Sequence, residues 1–382
     1  MHRGAIAEID LDAVSENLKV VKHITGNSPV IAVVKADAYG HGAIEVSGRL
    51  AADGVYGLAV AFLDEAIKLR EAGLRSRVLV LFDKDNISDY FSYDLLPVVH
   101  DIETARRFSI VARSKNRSID IHVKTDTGMG RLGLNSSVLN DIRVMSEMEG
   151  IRIAGLMSHF SDADLADVSN AGAQLERFNA VREEALKITG DSMLCHIANS
   201  AATISLRASY LDAVRPGIML YGVSPFMGQG AGGKGLGEDK RLKPAMRVRT
   251  KILALRRLPK GAPVSYGGTF ITRGESLIAA IPVGYADGYM RSLSNNSDML
   301  ISGKRAPVAG RICMDLTMVD VTDIENVREN DEVVILGRQG REEITAAEIA
   351  ERAGTISYEV LTTLGNRSRR VFINGNAMEH RA

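Results

Sequence analysis

Apolar positions along the first half of the chain recur in two alternating rhythms. Leu11, Val14, Leu18 and Val21 follow one another at gaps of three and four, the stripe of an amphipathic helix. Asp10 precedes the stripe in the place of an N-cap. Residues 29–35 then form an apolar run that ends in Lys35, as expected of a strand buried on both faces. Similar runs follow at 56–60, 77–82, 95–99, 119–125, 152–158, 193–198 and 212–215. Stretches such as 63–72 and 174–187 carry helical spacing between them. Eight short strands with helical crossovers, in about 220 residues, predict a parallel (β/α)₈ barrel, with a doubly wound sheet as the alternative.

The texture changes after Pro225. Residues 226–240 are rich in Gly and charge and read as a linker. Beyond it, runs at 250–255, 276–281, 299–301 and 332–336 read as strands separated by turns, with a short helix near 346–353. The expectation is a barrel domain over 1–240 and a mostly β domain over 241–382. The length of 382 residues agrees with two domains.

Composition narrows the function classes. Lys+Arg and Asp+Glu are equal at 47 each, so no net field attracts nucleic acid or an anionic membrane. Trp is absent and aromatics are 5%, which disfavours base-stacking platforms. The two cysteines, Cys195 and Cys313, form no CxxC pair, so a zinc ribbon or disulfide scaffold is not expected. Free thiols fit a reducing cytoplasm. The first twelve residues hold Glu8, Asp10 and Asp12 without an apolar core, unlike a signal peptide. No run approaches the ~18 apolar residues of a membrane span.

One motif is a decoy. Gly228-Gln-Gly-Ala-Gly-Gly233-Lys234 matches the start of a phosphate-binding P-loop, but Gly235 stands where a Ser or Thr must hold magnesium. An interdomain loop is the better reading.

Barrel chemistry gathers at the C-terminal ends of the strands. Lys35, Lys124, His159, His196 and Arg215 all stand at such ends; Arg131 follows the fifth strand, and Asn199 and Ser200 follow the seventh. Taken singly, each has a bland explanation: a strand-end Lys snorkels to water, a lone His packs in a core. Five of eight strand ends together are harder to explain that way. No carboxylate cluster with metal spacing accompanies them, so the expectation is no metal and an anionic substrate or phosphate-bearing cofactor. A strand-end Lys in an apolar setting can form a Schiff base, and pyridoxal phosphate is the obvious carbonyl partner.

Here the sequence resembles the alanine racemases, which carry pyridoxal 5'-phosphate on a barrel. The resemblance rests on Ala32-Val-Val-Lys35-Ala-Asp-Ala-Tyr39-Gly-His-Gly42, Lys124-Thr-Asp-Thr-Gly-Met-Gly-Arg131, Ser158-His159-Phe160, His196-Ile-Ala-Asn-Ser200 and Arg215-Pro-Gly-Ile218. The second half adds Val264-Ser-Tyr266-Gly-Gly-Thr-Phe270, Ile281-Pro-Val-Gly-Tyr285-Ala-Asp-Gly-Tyr289, Gly310-Arg-Ile-Cys-Met314-Asp315 and Tyr358-Glu359. These blocks stand in family order across nearly the whole chain.

The resemblance implies a role for each residue. Lys35 holds the cofactor and is one of two catalytic bases. Tyr266 is the other, supplied by the partner subunit of a head-to-tail homodimer. Arg215 faces the pyridine nitrogen and His159 supports the ring. Tyr39, Ser200, Gly217, Ile218 and Tyr358 match the phosphate-binding set, with Asn199 beside them. Arg131 and the Met314 backbone N–H match the contacts to the substrate carboxylate. Lys124 matches a lysine carbamylated in many members, and Asp164, Arg291 and Tyr285 match the mouth of the substrate channel. The implied activity is two-base racemisation of L- and D-alanine for peptidoglycan. Serine or broad-specificity racemisation is the alternative, and a decarboxylase of the same architecture is a more distant one. Tyr358 favours the small alanine pocket. One segment departs from the family pattern: Asn366-Arg-Ser-Arg-Arg370 lacks the Val and Pro expected there, which predicts a local structural change.

Overall fold

The computed structural model describes residues 4–190, 193–226 and 241–374. The P-loop-like motif at 228–235 lies outside the described residues. Seven parallel strands run in sequence order: Ile31–Val33, Gly57–Val60, Val78–Val80, Leu96–Val99, Ile119–Lys124, Ile151–Met157 and Leu194–His196. The eighth run is reduced to a single bridge between Val30 and Val214. It still bonds to both neighbours. Asp212 and Arg215 donate N–H groups to Cys195 O and Ala198 O. Across the gap, Val214 donates to Pro29 O, and Val214 O and Pro216 O accept from Ile31 and Val33. Those bonds curl the sheet into the expected barrel rather than the open doubly wound alternative.

The first helix, Leu11–Thr25, is built as its spacing predicts. The Asp10 carboxylate accepts N–H bonds from Asp12 and Ala13 at 2.9 and 3.0 Å. Val14, Leu18 and Val21 are buried, and Gly26 ends the helix at φ 64°. Asn17 is buried on the same helix. Its amide bonds Leu220 O and Lys243 O and accepts from Lys243 N–H, tying the helix to the chain that leaves the barrel.

The second domain is mostly β. Its larger sheet runs Lys304–Pro307, Asp298–Ile301, Glu332–Gln339, Met246–Lys251, Ile6–Asp10 and Arg369–Ile373. A smaller one holds Ala254–Leu258, Ser276–Ile281 and Thr317–Asp320. The N-terminal strand therefore belongs to the C-terminal sheet, antiparallel to Met246–Lys251 and parallel to Arg369–Ile373. Its Glu8 is buried because Arg247 and Arg249 neutralise it at 2.9 and 2.7 Å. The run expected at 250–255 is two strands that break at Ile252 and Leu253. The helix expected near 346–353 is Ala346–Ala353, capped by Thr345.

Candidate active site

Lys35 follows the first barrel strand and opens an unusual turn. Ala36, Asp37, Ala38 and Tyr39 all have φ between 52° and 54°, the left-handed region. Each costs about 1–2 kcal/mol relative to the right-handed conformation, so the turn persists only through its contacts. Glu65 accepts the Ala36 N–H at 2.6 Å. Asp37 accepts the Ala43 N–H at 2.7 Å and pairs with Arg370 at 2.6 Å. Arg370 also donates to Gly40 O and Gly365 O. The segment that departs from the family pattern thus holds the lysine turn through Arg370.

The turn aims Tyr39 into the barrel mouth, buried against Tyr221 at 4.9 Å. Gly217 is required beside it, because a Cβ there would sit 2.4 Å from Tyr39 Oη. The Gly217 N–H donates to Ser200 Oγ at 2.8 Å. Asn199 caps the helix Ser200–Ser205 through the Ala202 N–H. Ile218 begins the short turn Ile218–Tyr221. The first N–H groups of both turns have no helical partner, which makes an anion cradle.

Lys35, Tyr39, Lys124, Arg131, His159, Asn199, Ser200, Arg215, Gly217, Ile218 and Tyr358 all line one cavity of about 520 Å³. Charge dominates it. Burial, then the positive Arg131, lowers the Lys35 amine from its ordinary range. Burial with Arg131 and Arg215 brings Lys124 down to about 8. His159 falls well below 6.5 through burial, with Arg215 and Arg131 adding to it, and stays neutral at neutral pH. Arg215 is buried and pushed down to about 9, so it still carries its charge. Its guanidinium donates to His196 O at 2.7 Å, to Ser158 O, and to His196 Nδ1 at 2.5 Å. An acceptor Nδ1 leaves the His196 proton on Nε2, which then donates to His122 Nδ1 at 2.9 Å. His196 thus supports Arg215 and does not line the cavity.

Arg131 stands on a loop shaped by Asp126, whose carboxylate accepts N–H bonds from Gly128, Met129 and Gly130. Gly133 also needs its φ of 133° there, since a Cβ would meet Asp126 N at 2.6 Å.

Tyr266 and Met314 are not in this cavity. They stand on the second domain, 71% and 55% exposed. Ser265, at φ 61°, presents Tyr266 from a strained turn and donates to Arg311 O at 2.5 Å. Its hydroxyl also meets Cys313 Sγ at 3.4 Å, which brings Tyr266 beside the Cys313–Met314 segment. Tyr285 and Ala286 donate N–H groups to Cys313 O and Met314 O. Tyr266, Tyr285 and Met314 therefore share one exposed patch. Asp164 and Arg291 are not among the cavity-lining residues, but the Asp164 charge acts on Tyr358, which is.

Sequence reasoning missed several lining residues: Leu81, Phe82, Met157, Thr355 and Glu359. Leu81 and Phe82 stand at the end of the third strand run, where the strand-end rule alone finds them. Met157 ends the sixth strand and is found by the same rule, whereas Thr355 and Glu359 carry no such signal.

Residues 9–225 match the family model of the alanine racemase N-terminal domain, and residues 245–372 that of its C-terminal domain. The alanine racemase of Thermodesulfovibrio yellowstonii is 47% identical over 377 residues, covering 98% of this chain and 99% of its own. That of Halothermothrix orenii is 42% identical over 376 residues, covering 97% of each. Among solved structures, alanine racemase from D-cycloserine-producing Streptomyces lavendulae superimposes with a TM-score of 0.91 at 34% identity, covering 100% of both chains. The Bartonella henselae alanine racemase, solved with covalently bound pyridoxal phosphate, gives 0.85 at 30% identity, covering 97% of this chain and 100% of its own.

Proposed function

The chain belongs to the alanine racemase family, and from that premise we propose how its own residues interconvert L- and D-alanine. One observation carries the reading: a cationic cavity that gathers Lys35, Arg131 and Arg215 lies in a chain whose Tyr266 is exposed elsewhere. Two opposed bases are needed, because inversion takes a proton from one face of the α-carbon and returns one to the other.

The cavity fits pyridoxal 5'-phosphate. The phosphate suits the cradle of Tyr39, Ser200, Gly217, Ile218 and Tyr358, and the carbonyl suits Lys35, whose lowered pKa leaves more free amine. Asn199 holds the Ser200 turn in place. When bound, the cofactor supplies a conjugated ring that takes up the electron pair left at the α-carbon. Arg215 stays charged and can only donate, so it would keep a ring nitrogen that faced it without a proton and would limit side reactions. His159, neutral and lining the cavity, would support the ring.

Arg131 offers two parallel N–H groups to the substrate carboxylate. The Met314 N–H supplies the second contact. Met314 and Tyr266 share one exposed patch, so both reach the cavity from a partner subunit in a head-to-tail homodimer. Lys35 and Tyr266 then hold and deliver the α-proton on opposite faces. Lys124, near a pKa of about 8, has enough free amine near neutrality to take up carbon dioxide. A carbamate there is an anion beside Arg131 and orients its guanidinium. The cytoplasm suits the free thiols of Cys195 and Cys313, and peptidoglycan synthesis is the inferred use of D-alanine.

Chiral analysis of products from L-alanine and L-serine tests the assignment. Equal amounts of D- and L-alanine, with much slower turnover of serine, are expected. Faster turnover of serine overturns the choice of alanine.

A further inference from the structure

The backbone ladder between the first two barrel strands stops at the lysine, and a carboxylate takes over from it. Ile31–Val33 pairs in parallel with Gly57–Val60, with Val33 opposite Ala59. The last regular bond runs from Val34 N–H to Ala59 O. In a parallel ladder the next two donors would be Ala61 N–H, to Val34 O, and Ala36 N–H, to Ala61 O. Both donate to Glu65 instead, Ala36 to Oε1 and Ala61 to Oε2, each at 2.6 Å. Val34 O accepts from Ala38 N–H inside the left-handed turn, at 2.9 Å. Phe62 N–H also donates to Glu65 Oε2, at 3.1 Å. Glu65 stands in the first turn of the helix Leu63–Glu71. Its Oε2 thus caps its own helix, whereas its Oε1 serves a peptide group 29 positions away.

We propose that Glu65 is a positioning residue for Lys35: its carboxylate replaces two rungs of the ladder and clamps the Lys35–Ala36 peptide plane, which sets where the lysine side chain leaves the backbone. The inference rests on the assignment of Lys35 as one of the two bases. The need comes from the turn. Ala36, Asp37, Ala38 and Tyr39 are all left-handed and carry the chain away from the sheet. A carbonyl fixed in the neighbouring strand cannot follow a departing N–H, but a carboxylate on a longer side chain reaches it. Each Glu65 oxygen is engaged by a different element, so the carboxylate cannot swing without losing a bond. None of these bonds involves the Lys35 amine, so the clamp is compatible with a cofactor held there.

The test uses holoenzymes of the wild type, Glu65→Ala, Glu65→Asp and Asp83→Ala, each alone and with Tyr266→Phe. Asp83 accepts the Leu63 N–H at 3.1 Å, so it caps the same helix without a bond to the lysine turn. The Tyr266→Phe background leaves Lys35 as the one base. Exchange of the α-hydrogen with deuterium oxide, followed by NMR, should then persist for one enantiomer of alanine, the one facing Lys35. Adding Glu65→Ala should slow that exchange at least about ten-fold, because misplacing a reacting group by about 1 Å can cost about 100-fold. With Tyr266 intact, kcat should fall while KM stays within about two-fold. The α-deuterium isotope effect should rise for the enantiomer facing Lys35 and not for the other. Amide exchange over residues 35–39, read by mass spectrometry, should speed up. Glu65→Asp, one methylene short of spanning both strands, should change all of these in the same direction. It takes the place of Glu65→Ala should that variant not fold. Asp83→Ala should change none of them. Unaltered isotope effects in the Glu65 variants, or equal changes from Asp83→Ala, overturn the inference. If Tyr266→Phe exchanges neither enantiomer, the assignment of Lys35 fails, and the role of Glu65 fails with it.

Discussion

Arginine chemistry at the site divides between two residues with opposite surroundings. Arg215 is buried and held by carbonyls and His196, whereas Arg131 is exposed and leans on a ring. Replacement should separate them. Arg131→Lys keeps the charge but loses the planar two-pronged contact. Its kcat/KM should fall at least about ten-fold, since hydrogen bonds to charged groups contribute about 1.5–3 kcal/mol. Steady-state kinetics with alanine measure this; an unchanged kcat/KM removes Arg131 from the substrate. Arg215→Glu puts an acceptor where a fixed donor stood. The ring nitrogen should then be protonated, so racemisation should slow, side transamination should rise and a long-wavelength absorbance band should appear. Normal racemisation with an unaltered spectrum would mean that Arg215 does not face the cofactor.

Elements meet tightly where the second domain grips the lysine turn. A Cβ on Gly365 would lie 2.3 Å from Gly40 O, and one on Gly40 would lie 2.5 Å from Leu361 O. Backbone cannot yield as a side chain can. Gly365→Ala should therefore push the helix Ser357–Arg367, with Tyr358, off the turn. Overpacking of this kind costs about 1–3 kcal/mol. Both the unfolding midpoint and pyridoxal phosphate affinity should fall, the latter measured by titrating apoenzyme. Gly172→Ala is the control: it sits within Ser169–Thr189 with open space around it and should add about 0.5–1 kcal/mol of stability. The same elements mark what sequence can reveal. The barrel strands announce themselves because both their faces are buried, and the ends of their runs locate Lys35, Lys124, His159 and Arg215. Ile6–Asp10 stays hidden because its burial depends on Glu8 meeting two arginines more than 230 positions away. The break at Ile252 and Leu253 is hidden because both residues are apolar and run on into Ala254 and Leu255. Phe82, which lines the cavity, is overlooked because a search for charge at strand ends passes over an aromatic ring.

The whole molecule has an acid-sensitive interior and, under the proposed function, a site that one chain does not complete. His41 and His122 are buried, and burial lowers both to about 4. Below the ordinary value of 6.5 the unfolded chain binds protons that the folded one refuses, so stability falls as pH drops from 6.5 through 4. Each histidine contributes about 3 kcal/mol that is present above pH 6.5 and lost across that window. Urea midpoints should drop steeply between pH 7 and 4.5; a flat profile would contradict neutral burial. The incomplete site is a matter of placement. Lys35 lines the cavity, while Tyr266 and Met314 are exposed on the other domain, a separation that only the folded chain displays. Tyr266→Phe should abolish racemisation and leave cofactor binding intact, because the phenol is not among the cavity-lining groups. The most direct test mixes inactive Lys35→Ala and Tyr266→Phe subunits carrying different affinity tags and isolates the doubly tagged dimer. In a head-to-tail dimer one site inherits both wild-type bases and the other neither. The account predicts that these heterodimers recover up to half the activity of the wild-type dimer. Isolated heterodimers that stay inactive would contradict it, because Tyr266 would then not serve the cavity of a partner subunit.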